Sequence, residues 1–308
     1  MPADDTAPDS FAIKPNLDLQ DLAFPNALAR ASDMAQSYLS HMLHSDKSDV
    51  AQAMLYATAG GKGLRAFLVV ESARLFGIDR GASQPAAAAI EAMHAYSLIH
   101  DDLPCMDDDD MRRGKPTVHK KWNEHTAVLA GDALQAMAFQ CLAQTESSAE
   151  NKVKLLQTLA IRAGVAGMVG GQALDIAAET SNQPLSLQGI TELQAGKTGA
   201  LIKWSSVAGA VMAGENTTSL DTYGDRLGLA FQIADDILDV EGDAATVGKA
   251  VGKDAGAGKA TFVSLLGLDG AKRRAADLVT QACDVLSVYG KDADCLREAA
   301  RFVISRRS

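Results

Sequence analysis

Two segments of this 308-residue chain carry carboxylates on helical patterns that are otherwise apolar. In the first segment the polar positions recur at i, i+3 and i+7, namely His94, Ser97 and Asp101. The second segment repeats this spacing with Gln232, Asp235 and Asp239. Residues at these intervals share one face of an α-helix. A buried ionised carboxylate is costly unless it is paired or bound to a metal, so we predict that both faces line one shared metal site.

The first segment continues into an acidic run with six carboxylates between Asp101 and Asp110. A charge run alone is more typical of a solvated loop, and the polar helix face before it is what favours a site. Carboxylate clusters without histidine or thiolate ligands suit Mg²⁺, which is usually held together with substrate phosphates. A calcium-binding EF-hand loop from Asp107 is excluded, because Met111 would be a ligand and Arg112 would replace the required glycine.

Basic residues that could bind phosphate follow the acidic run and recur in glycine-rich stretches. They are Arg112, Arg113, Lys62, Arg65, Lys197, Lys249 and Lys259. A P-loop is excluded, since Gly196-Lys197-Thr198 would need a glycine where Thr191 stands. Arginine pairs can clamp phosphate through two hydrogen bonds and lysine adds a point charge. We therefore predict a diphosphate held between Mg²⁺ on one side and these cations on the other.

The spacing of apolar residues predicts an all-α chain from about residue 28 onward. Segments 152–168 and 192–212 have helical patterns, as does the series Leu129, Leu134, Met137, Phe139 and Leu142. Aromatic residues make up only 5% of the chain, and the Asn-Gly and Pro-Gly turns of hairpins are missing from it. We predict one helical-bundle domain over residues 26–308, an N-terminal tail over 1–25, and a long loop over 241–259.

Charge and cysteine content exclude several classes of protein. The formal net charge is −10, and no cluster of lysine and arginine would bind the phosphates of a nucleic acid. No apolar stretch approaches the roughly 18 residues of a membrane span. The four cysteines, Cys105, Cys141, Cys283 and Cys295, form no CxxC pair, and the N-terminal residues do not resemble a secretory signal. We therefore predict a reduced, cytoplasmic protein.

These motifs together resemble the trans-isoprenyl diphosphate synthase family, most closely its short-chain bacterial farnesyl type. The resemblance runs from about residue 30 to 300. The first motif is Asp101-Asp102, four residues and Asp107, followed by Arg112-Arg113-Gly114, and the second runs from Phe231 to Asp239. The family's GGKRLRP box appears as residues 60–66, where Lys62 and Arg65 are retained but the intervening arginine and the proline are lost.

The resemblance implies a role for each matching residue. Asp101 and Asp107 would bind two Mg²⁺ ions and Asp235 a third, with Asp102 and Asp239 in supporting contacts. The allylic diphosphate would lie beside Arg112, Lys197 and Lys259. Isopentenyl diphosphate would be held by Lys62, Arg65, His94 and Arg113. Further matches to family motifs near the same cavity are Gln172, Asp175, Thr198, Gln232, Lys249 and Asp254.

The family's reaction would proceed by ionisation, condensation and elimination in a deep central cavity of a helical bundle. The allylic diphosphate departs and leaves a carbocation, which the double bond of isopentenyl diphosphate attacks. The released diphosphate then removes a proton, with Lys197, Thr198 and Gln232 near the cation. Because water would quench the cation, the helical walls must exclude it, and the loop over 241–259 is the candidate lid.

The resemblance also implies a product length, through the residues four and five positions before the first motif. In the resembling family these positions, here Tyr96 and Ser97, form the floor against which the growing chain stops. A bulky Tyr96 together with the two-residue insertion Pro104-Cys105 implies a fifteen-carbon product. Helix geometry places Ser97 near the face of Asp101 but turns Tyr96 away from it, so the role of Tyr96 depends on the resemblance.

Other functions remain open at this point. Geranylgeranyl or geranyl diphosphate synthesis is the main alternative. A terpene cyclase would also use an Asp-rich magnesium site, but its second motif typically mixes Asn, Ser or Thr, and Glu. A non-catalytic partner subunit would be expected to lose Asp or Arg residues that this chain retains. The resemblance also implies a homodimer.

Overall fold

The computed structural model describes residues 24–179, 181, 183–241 and 260–305. Its α-helices, in chain order, are α1 (Phe24–Leu43), α2 (Asp49–Thr58), α3 (Leu64–Arg74), α4 (Arg80–Asp101), α5 (Val118–Lys121), α6 (Glu124–Ala143), α7 (Ala149–Ala163), α8 (Met168–Glu179), α9 (Leu187–Gln194), α10 (Ala200–Ala213), α11 (Thr218–Glu241), α12 (Phe262–Leu266), α13 (Leu268–Asp284) and α14 (Asp294–Ser305). A π-helical turn, Ala195–Gly199, joins α9 to α10, and a 3₁₀ segment, Val285–Ala293, joins α13 to α14. The predicted all-α class is confirmed.

Helix α4 is the central helix of the bundle, packed against α1, α3 and α6. It begins at the N-cap Asp79, whose side chain accepts the amide of Ala82 at 2.9 Å. Its middle is rich in alanine, and residues 86–90 are completely buried. Small side chains let neighbouring helices approach closely, so the first acidic motif, at the C-terminus of α4, is carried by a rigid element.

Helix α11, which carries the second acidic motif, packs against α10 and α13. Helix α10 in turn packs against α3, and a side-chain carbon added at Gly209 of α10 would lie 2.1 Å from the amide nitrogen of Ala73. Buried Tyr223 of α11 donates its hydroxyl to the carbonyl of Leu296 at 2.8 Å. Both acidic helices are therefore fixed by contacts with the main body of the bundle.

The structure differs from the sequence prediction in two local features. The helix predicted over 152–168 ends at Ala163, because Gly164 has an extended backbone (φ −78°, ψ −160°), and a new helix begins at Met168. A two-residue hairpin pairs Met111–Arg112 with Lys115–Pro116. Its turn has positive φ at Arg113 and Gly114 (53° and 71°), as a type I′ turn requires. The hairpin was not predicted because Arg113 stands where such a turn usually has asparagine.

The predicted tail and the predicted long loop fall mostly outside the described residues. Helix α1 begins at Phe24, two residues before the predicted start of the domain, and α11 continues through Glu241. Residues 242–259, which include Lys249, Asp254 and Lys259, are outside the described part of the chain.

Two helical stretches, Glu124–Ala143 and Ala149–Ala178, have the length and hydropathy of a membrane span. Core helices of soluble proteins satisfy the same criterion, so neither stretch establishes a span. Both contribute to the helical body: buried Leu134 and Leu142 of the first and buried Leu155 and Leu159 of the second belong to the hydrophobic core.

Candidate active site

A cavity of about 540 Å³ lies beside the C-terminal half of α4. The predicted polar face of this helix lines it, because His94, Ser97 and Asp101 are all wall residues. Tyr96 lines the same cavity, although helical spacing predicts that it points away from the face of Asp101. The cavity therefore extends around a wide arc of α4. Apolar side chains complete the wall, among them Leu103, Met106, Val128, Met168, Val169 and Leu201. The large cavity is thus mainly apolar, with charged groups at one side.

A smaller cavity of about 280 Å³ adjoins the large one. Its lining includes the basic residues Lys62, Arg65 and Arg113, together with Glu91 and Asp235. Arg65 and His94 line both cavities, so the two spaces meet at these side chains. The acidic helices α4 and α11 therefore converge on one place, as their polar faces predict.

The first acidic motif is partly desolvated. Burial, together with the carboxylates of Asp107 and Asp102, raises the pKa of Asp101 to about 6, although the charges of Lys197 and Arg112 oppose this shift. Burial is the largest cause of this shift, because the charges of Lys197 and Arg112 act more strongly on Asp101 than those of the two carboxylates. A bound cation would compensate for the lost hydration of the carboxylate, and a set of carboxylate ligands suits a hard cation.

Asp102, the next residue, has a different environment. It is buried, its Oδ1 accepts a hydrogen bond from Nε of Arg112 at 2.7 Å, and Nη2 of the same guanidinium forms an ion pair with that oxygen at 2.6 Å. Arg112 also lies 3.8 Å from Asp109. These ion pairs fix the hairpin against the end of α4, so Arg112 and Arg113 are held close to the acidic motif.

Lys197 and Thr198 occupy the π-helical turn between α9 and α10, where they line the large cavity. Single π-helical turns are frequent at functional sites because they change the direction in which side chains point. Lys197 donates to Asp175 of α8 at 2.6 Å, which accounts for the family match at Asp175. The turn is tightly packed, since a side-chain carbon at Gly171 would lie 2.0 Å from the amide nitrogen of Lys197.

The smaller cavity brings guanidinium groups around His94. Burial and the charges of Arg65, Arg113 and Arg112 lower the pKa of His94 well below its ordinary value, so the imidazole is neutral at pH 7. Glu91, one turn earlier on α4, accepts the amide of Ala66 at 2.9 Å at the start of α3. That contact holds the helix start that bears Arg65. Glu91 was not among the residues predicted from sequence.

The second acidic motif places Asp235 in the smaller cavity and Gln232 beside Thr198. The hydroxyl of Thr198 donates to Oε1 of Gln232 at 3.1 Å. Asp236, which is not among the site residues predicted from sequence, is buried and accepts a hydrogen bond from Nε2 of Gln232 at 2.9 Å. The four-residue spacing of Gln232 and Asp236 is the signal that could have identified this pair.

The remaining predicted residues differ in their exposure. Lys62, Asp107 and Arg113 are exposed, and Asp239 is partly buried. Gln172 is a buried wall residue of the large cavity, and its side-chain amide has no hydrogen-bond partner among the described residues.

A further group of possible metal ligands lies beside the hairpin. Asp108, Asp110 and His119 have ligand atoms within 4.8 Å of one another, and Lys120 pairs with Asp110 at 2.8 Å. These three residues are not members of the predicted ligand set. They add to the acid-rich stretch after α4, which as a whole offers a potential metal site.

Comparison with known proteins gives consistent matches over most of the chain. The family model for polyprenyl synthetase matches residues 47–297. Farnesyl diphosphate synthase of Escherichia coli is 43% identical over 297 residues, covering 92% of this chain and 99% of that protein. Farnesyl diphosphate synthase of Haemophilus influenzae is 45% identical, with 86% of this chain and 92% of that protein covered.

Comparison of the fold with solved structures gives a match of the same kind. The apo crystal structure of an FPP/GFPP synthase from Zymomonas mobilis has a TM-score of 0.83 and 44% sequence identity to this chain. The match covers 91% of this chain and 98% of that structure. The segment matched by the family model, residues 47–297, includes both acidic helices.

Proposed function

The chain belongs to the polyprenyl synthetase family and is a prenyltransferase, and we propose that it condenses isopentenyl diphosphate with dimethylallyl or geranyl diphosphate to give farnesyl diphosphate. The observation that carries this proposal is the pair of adjoining cavities that meet at Arg65 and His94. One is lined by cations and the other is largely apolar, which suits two diphosphates and one growing hydrocarbon chain.

The metal would be Mg²⁺, with three ions in the substrate complex. Asp101 and Asp107 would hold two ions at the first motif and Asp235 a third at the second, with Asp102 and Asp239 in supporting contacts. The raised pKa of Asp101 supports this assignment, because burial disfavours its charged form and a bound cation would compensate for the lost hydration. Mg²⁺ supplies charge neutralisation of the departing diphosphate.

The two diphosphates would lie on opposite sides of Arg65 and His94, the residues that line both cavities. Lys62, Arg65, His94 and Arg113 would hold isopentenyl diphosphate in the smaller cavity. Neutral His94 can donate one hydrogen bond to a diphosphate oxygen without repelling the neighbouring guanidinium groups. The allylic diphosphate would lie towards Asp101, with Arg112, Lys197 and Lys259 as its cations and its hydrocarbon in the large cavity, and Lys249 is a further predicted substrate-binding residue.

The reaction would begin when the allylic carbon–oxygen bond breaks and the diphosphate takes the electron pair. The double bond of isopentenyl diphosphate then forms the new carbon–carbon bond, and a proton passes to the released diphosphate. Thr198 and Gln232 would direct oxygen dipoles towards the cation. The apolar wall of the large cavity would keep water away from it.

We propose that this chain acts as a cytoplasmic homodimer. Helix α6 supports the pairing, because Val128 and Leu129 on it are 41% and 51% exposed although the opposite face of the helix is core. Apolar residues that are exposed together on a helix are typical of protein–protein contacts. Light scattering of the purified protein would give the mass of the assembly.

The test of the function is direct. Purified protein is incubated with isopentenyl and dimethylallyl diphosphates and Mg²⁺, and the products are sized by chromatography. We expect a fifteen-carbon product as the main species. Ten- or twenty-carbon main products would favour geranyl or geranylgeranyl synthesis, and no condensation at all would favour a non-catalytic subunit.

Product length should depend on Tyr96. Its ring is 7% exposed, lies edge-to-face against His100 at 5.4 Å, and lines the large cavity. We expect Tyr96→Ala to open the cavity and lengthen the main product by at least one five-carbon unit, while Tyr96→Phe leaves it at fifteen carbons. Ser97→Phe should shorten it, because the added ring would occupy the same wall. A fifteen-carbon product from Tyr96→Ala would contradict the assignment.

A further inference from the structure

The two adjacent aspartates of the second acidic motif point in different directions. Asp235 lines the smaller cavity, whereas Asp236 is only 4% exposed and lies inside the bundle. Both oxygens of Asp236 accept hydrogen bonds. Oδ1 accepts from Nε2 of Gln232 at 2.9 Å, and Oδ2 accepts the backbone amide of Phe262 at 2.7 Å.

The contact with Asp236 determines the orientation of the Gln232 amide. An ionised carboxylate can only accept hydrogen bonds, so the NH₂ group of Gln232 must face Asp236 and its oxygen must face the other way. That oxygen accepts the hydroxyl of Thr198 at 3.1 Å. Thr198 is a wall residue of the large cavity. One chain of hydrogen bonds therefore runs from the start of α12, through α11, to the π-helical turn.

We propose that Asp236 is a positioning residue for the prenyl transfer and not a metal ligand: it orients the amide of Gln232, which in turn orients the Thr198 hydroxyl at the cavity wall. The inference rests on the proposed function. A carboxylate is required at position 236 because two donors, Nε2 of Gln232 and the amide of Phe262, approach its two oxygens. An asparagine offers one acceptor oxygen and one NH₂ group, so it can satisfy only one of them.

The first test is Asp236→Asn, with Asp235→Asn as the matched control at the neighbouring position. We expect Asp236→Asn to lower kcat by about 10- to 100-fold, because a misplaced group at the reacting centre costs that much. The Mg²⁺ concentration for half-maximal activity should stay within about twofold. Asp235→Asn, in contrast, should raise the Mg²⁺ requirement at least tenfold. An equal rise in Mg²⁺ requirement for both variants would overturn the proposal.

The second test exchanges the two groups, as Gln232→Glu with Asp236→Asn. In the exchanged pair, the carboxylate introduced at position 232 can accept from both Thr198 and the new NH₂ group, while the oxygen at position 236 accepts the amide of Phe262. The net charge is unchanged. We expect kcat at least tenfold above that of either single variant and an unfolding temperature close to that of the original chain. Recovery of neither quantity would overturn the proposal.

The unfolding temperature separates this inference from the proposed function. If the original chain condensed no prenyl diphosphates, the proposed function would fail, but the order of thermal stabilities would still test the hydrogen-bond chain. Both single variants should unfold at lower temperature than the exchanged pair, because each places like groups opposite one another. If Asp236→Asn does not fold, Gln232→Glu provides the same comparison.

Discussion

In both acidic helices the first aspartate of the doublet lines a cavity and the second is buried. Asp101 lines the large cavity and Asp235 the smaller one, whereas Asp102 and Asp236 are 3% and 4% exposed. Each doublet thus provides one carboxylate that can face substrate and one that anchors the helix. A pair of adjacent acids in the sequence is therefore not a pair of equivalent ligands.

The two anchors differ in their partners. Asp102 is paired with the guanidinium of Arg112, which belongs to the hairpin beyond α4. Asp236 is held by two neutral donors, the amide groups of Gln232 and Phe262. Burial raises the pKa of Asp102 in spite of its bonds to Arg112. The contacts described here thus join Asp102 to a cation and Asp236 to two neutral donors, and the consequences of breaking them can be compared.

The largest loss of activity is expected for substitutions of Asp101 and Asp235, the two aspartates that line the cavities. Asp101→Asn and Asp235→Asn should each lower kcat/KM by on the order of 1,000-fold, because removal of a group that only supports a metal ligand already costs 10- to 100-fold. Steady-state kinetics at saturating Mg²⁺ measures this loss. If one of the two variants retained more than a tenth of the activity, the two motifs would not be equivalent in catalysis.

Asparagine substitutions at the two buried aspartates, Asp102 and Asp236, should differ from one another mainly in the free energy of unfolding. Asp102→Asn removes the nearest carboxylate of Arg112 and should lower the free energy of unfolding by about 2 kcal/mol, below the range for a fully buried pair because Arg112 is one-third exposed and burial already disfavours the Asp102 charge. Urea denaturation measures it. Asp236→Asn leaves one of two donors, Nε2 of Gln232 or the amide of Phe262, without its acceptor, and its loss should be smaller, about 1 kcal/mol.

A double variant checks the origin of that difference. Asp102→Asn combined with Arg112→Gln replaces the ion pair by a neutral pair, so we expect it to regain at least half of the stability that Asp102→Asn loses. The measurement concerns stability alone, because Arg112 is a predicted binding residue. A double variant no more stable than the single one would mean that the ion pair is not what Asp102 contributes.

The polar faces of the two helices could be predicted from sequence because helical periodicity is a local property. His94, Ser97 and Asp101 line one cavity as their spacing indicates. The orientation of Tyr96 could not be predicted in this way, since the width of the cavity around α4 is set by the apolar side chains of other helices. Family resemblance, and not spacing, is what identified this residue.

The anchoring roles also depend on tertiary structure. The bond between Asp236 and Phe262 joins residues 26 positions apart, and residues 242–259 between them have no apolar periodicity that would predict the contact. The contact of Gln232 with Asp236, in contrast, is a four-residue helical spacing. The sequence therefore predicts the contact within α11 but not the contact between α11 and α12.

The smallest predicted effect concerns the metal-free protein. The folded chain raises the pKa of Asp101 to about 6 from the ordinary 3.8, so between these values the folded state binds more protons than the unfolded state. The stability contributed by Asp101 must then fall as pH rises through this window. The full difference corresponds to at most about 3 kcal/mol at pH 7, and access of water to the carboxylate reduces it to about 1–2 kcal/mol.

Asp101→Asn removes this penalty, so in EDTA at pH 7.5 we expect the variant to be more stable than the original chain by about 1–2 kcal/mol. The difference should shrink towards zero near pH 4, where Asp101 is protonated in the folded state. Urea denaturation at the two pH values measures it. Mg²⁺ with diphosphate should reverse the order at pH 7.5, because only the original chain keeps the ligand. A variant less stable in EDTA at pH 7.5 would show that Asp101 stabilises the fold, in which case the carboxylate would not be held there for a cation.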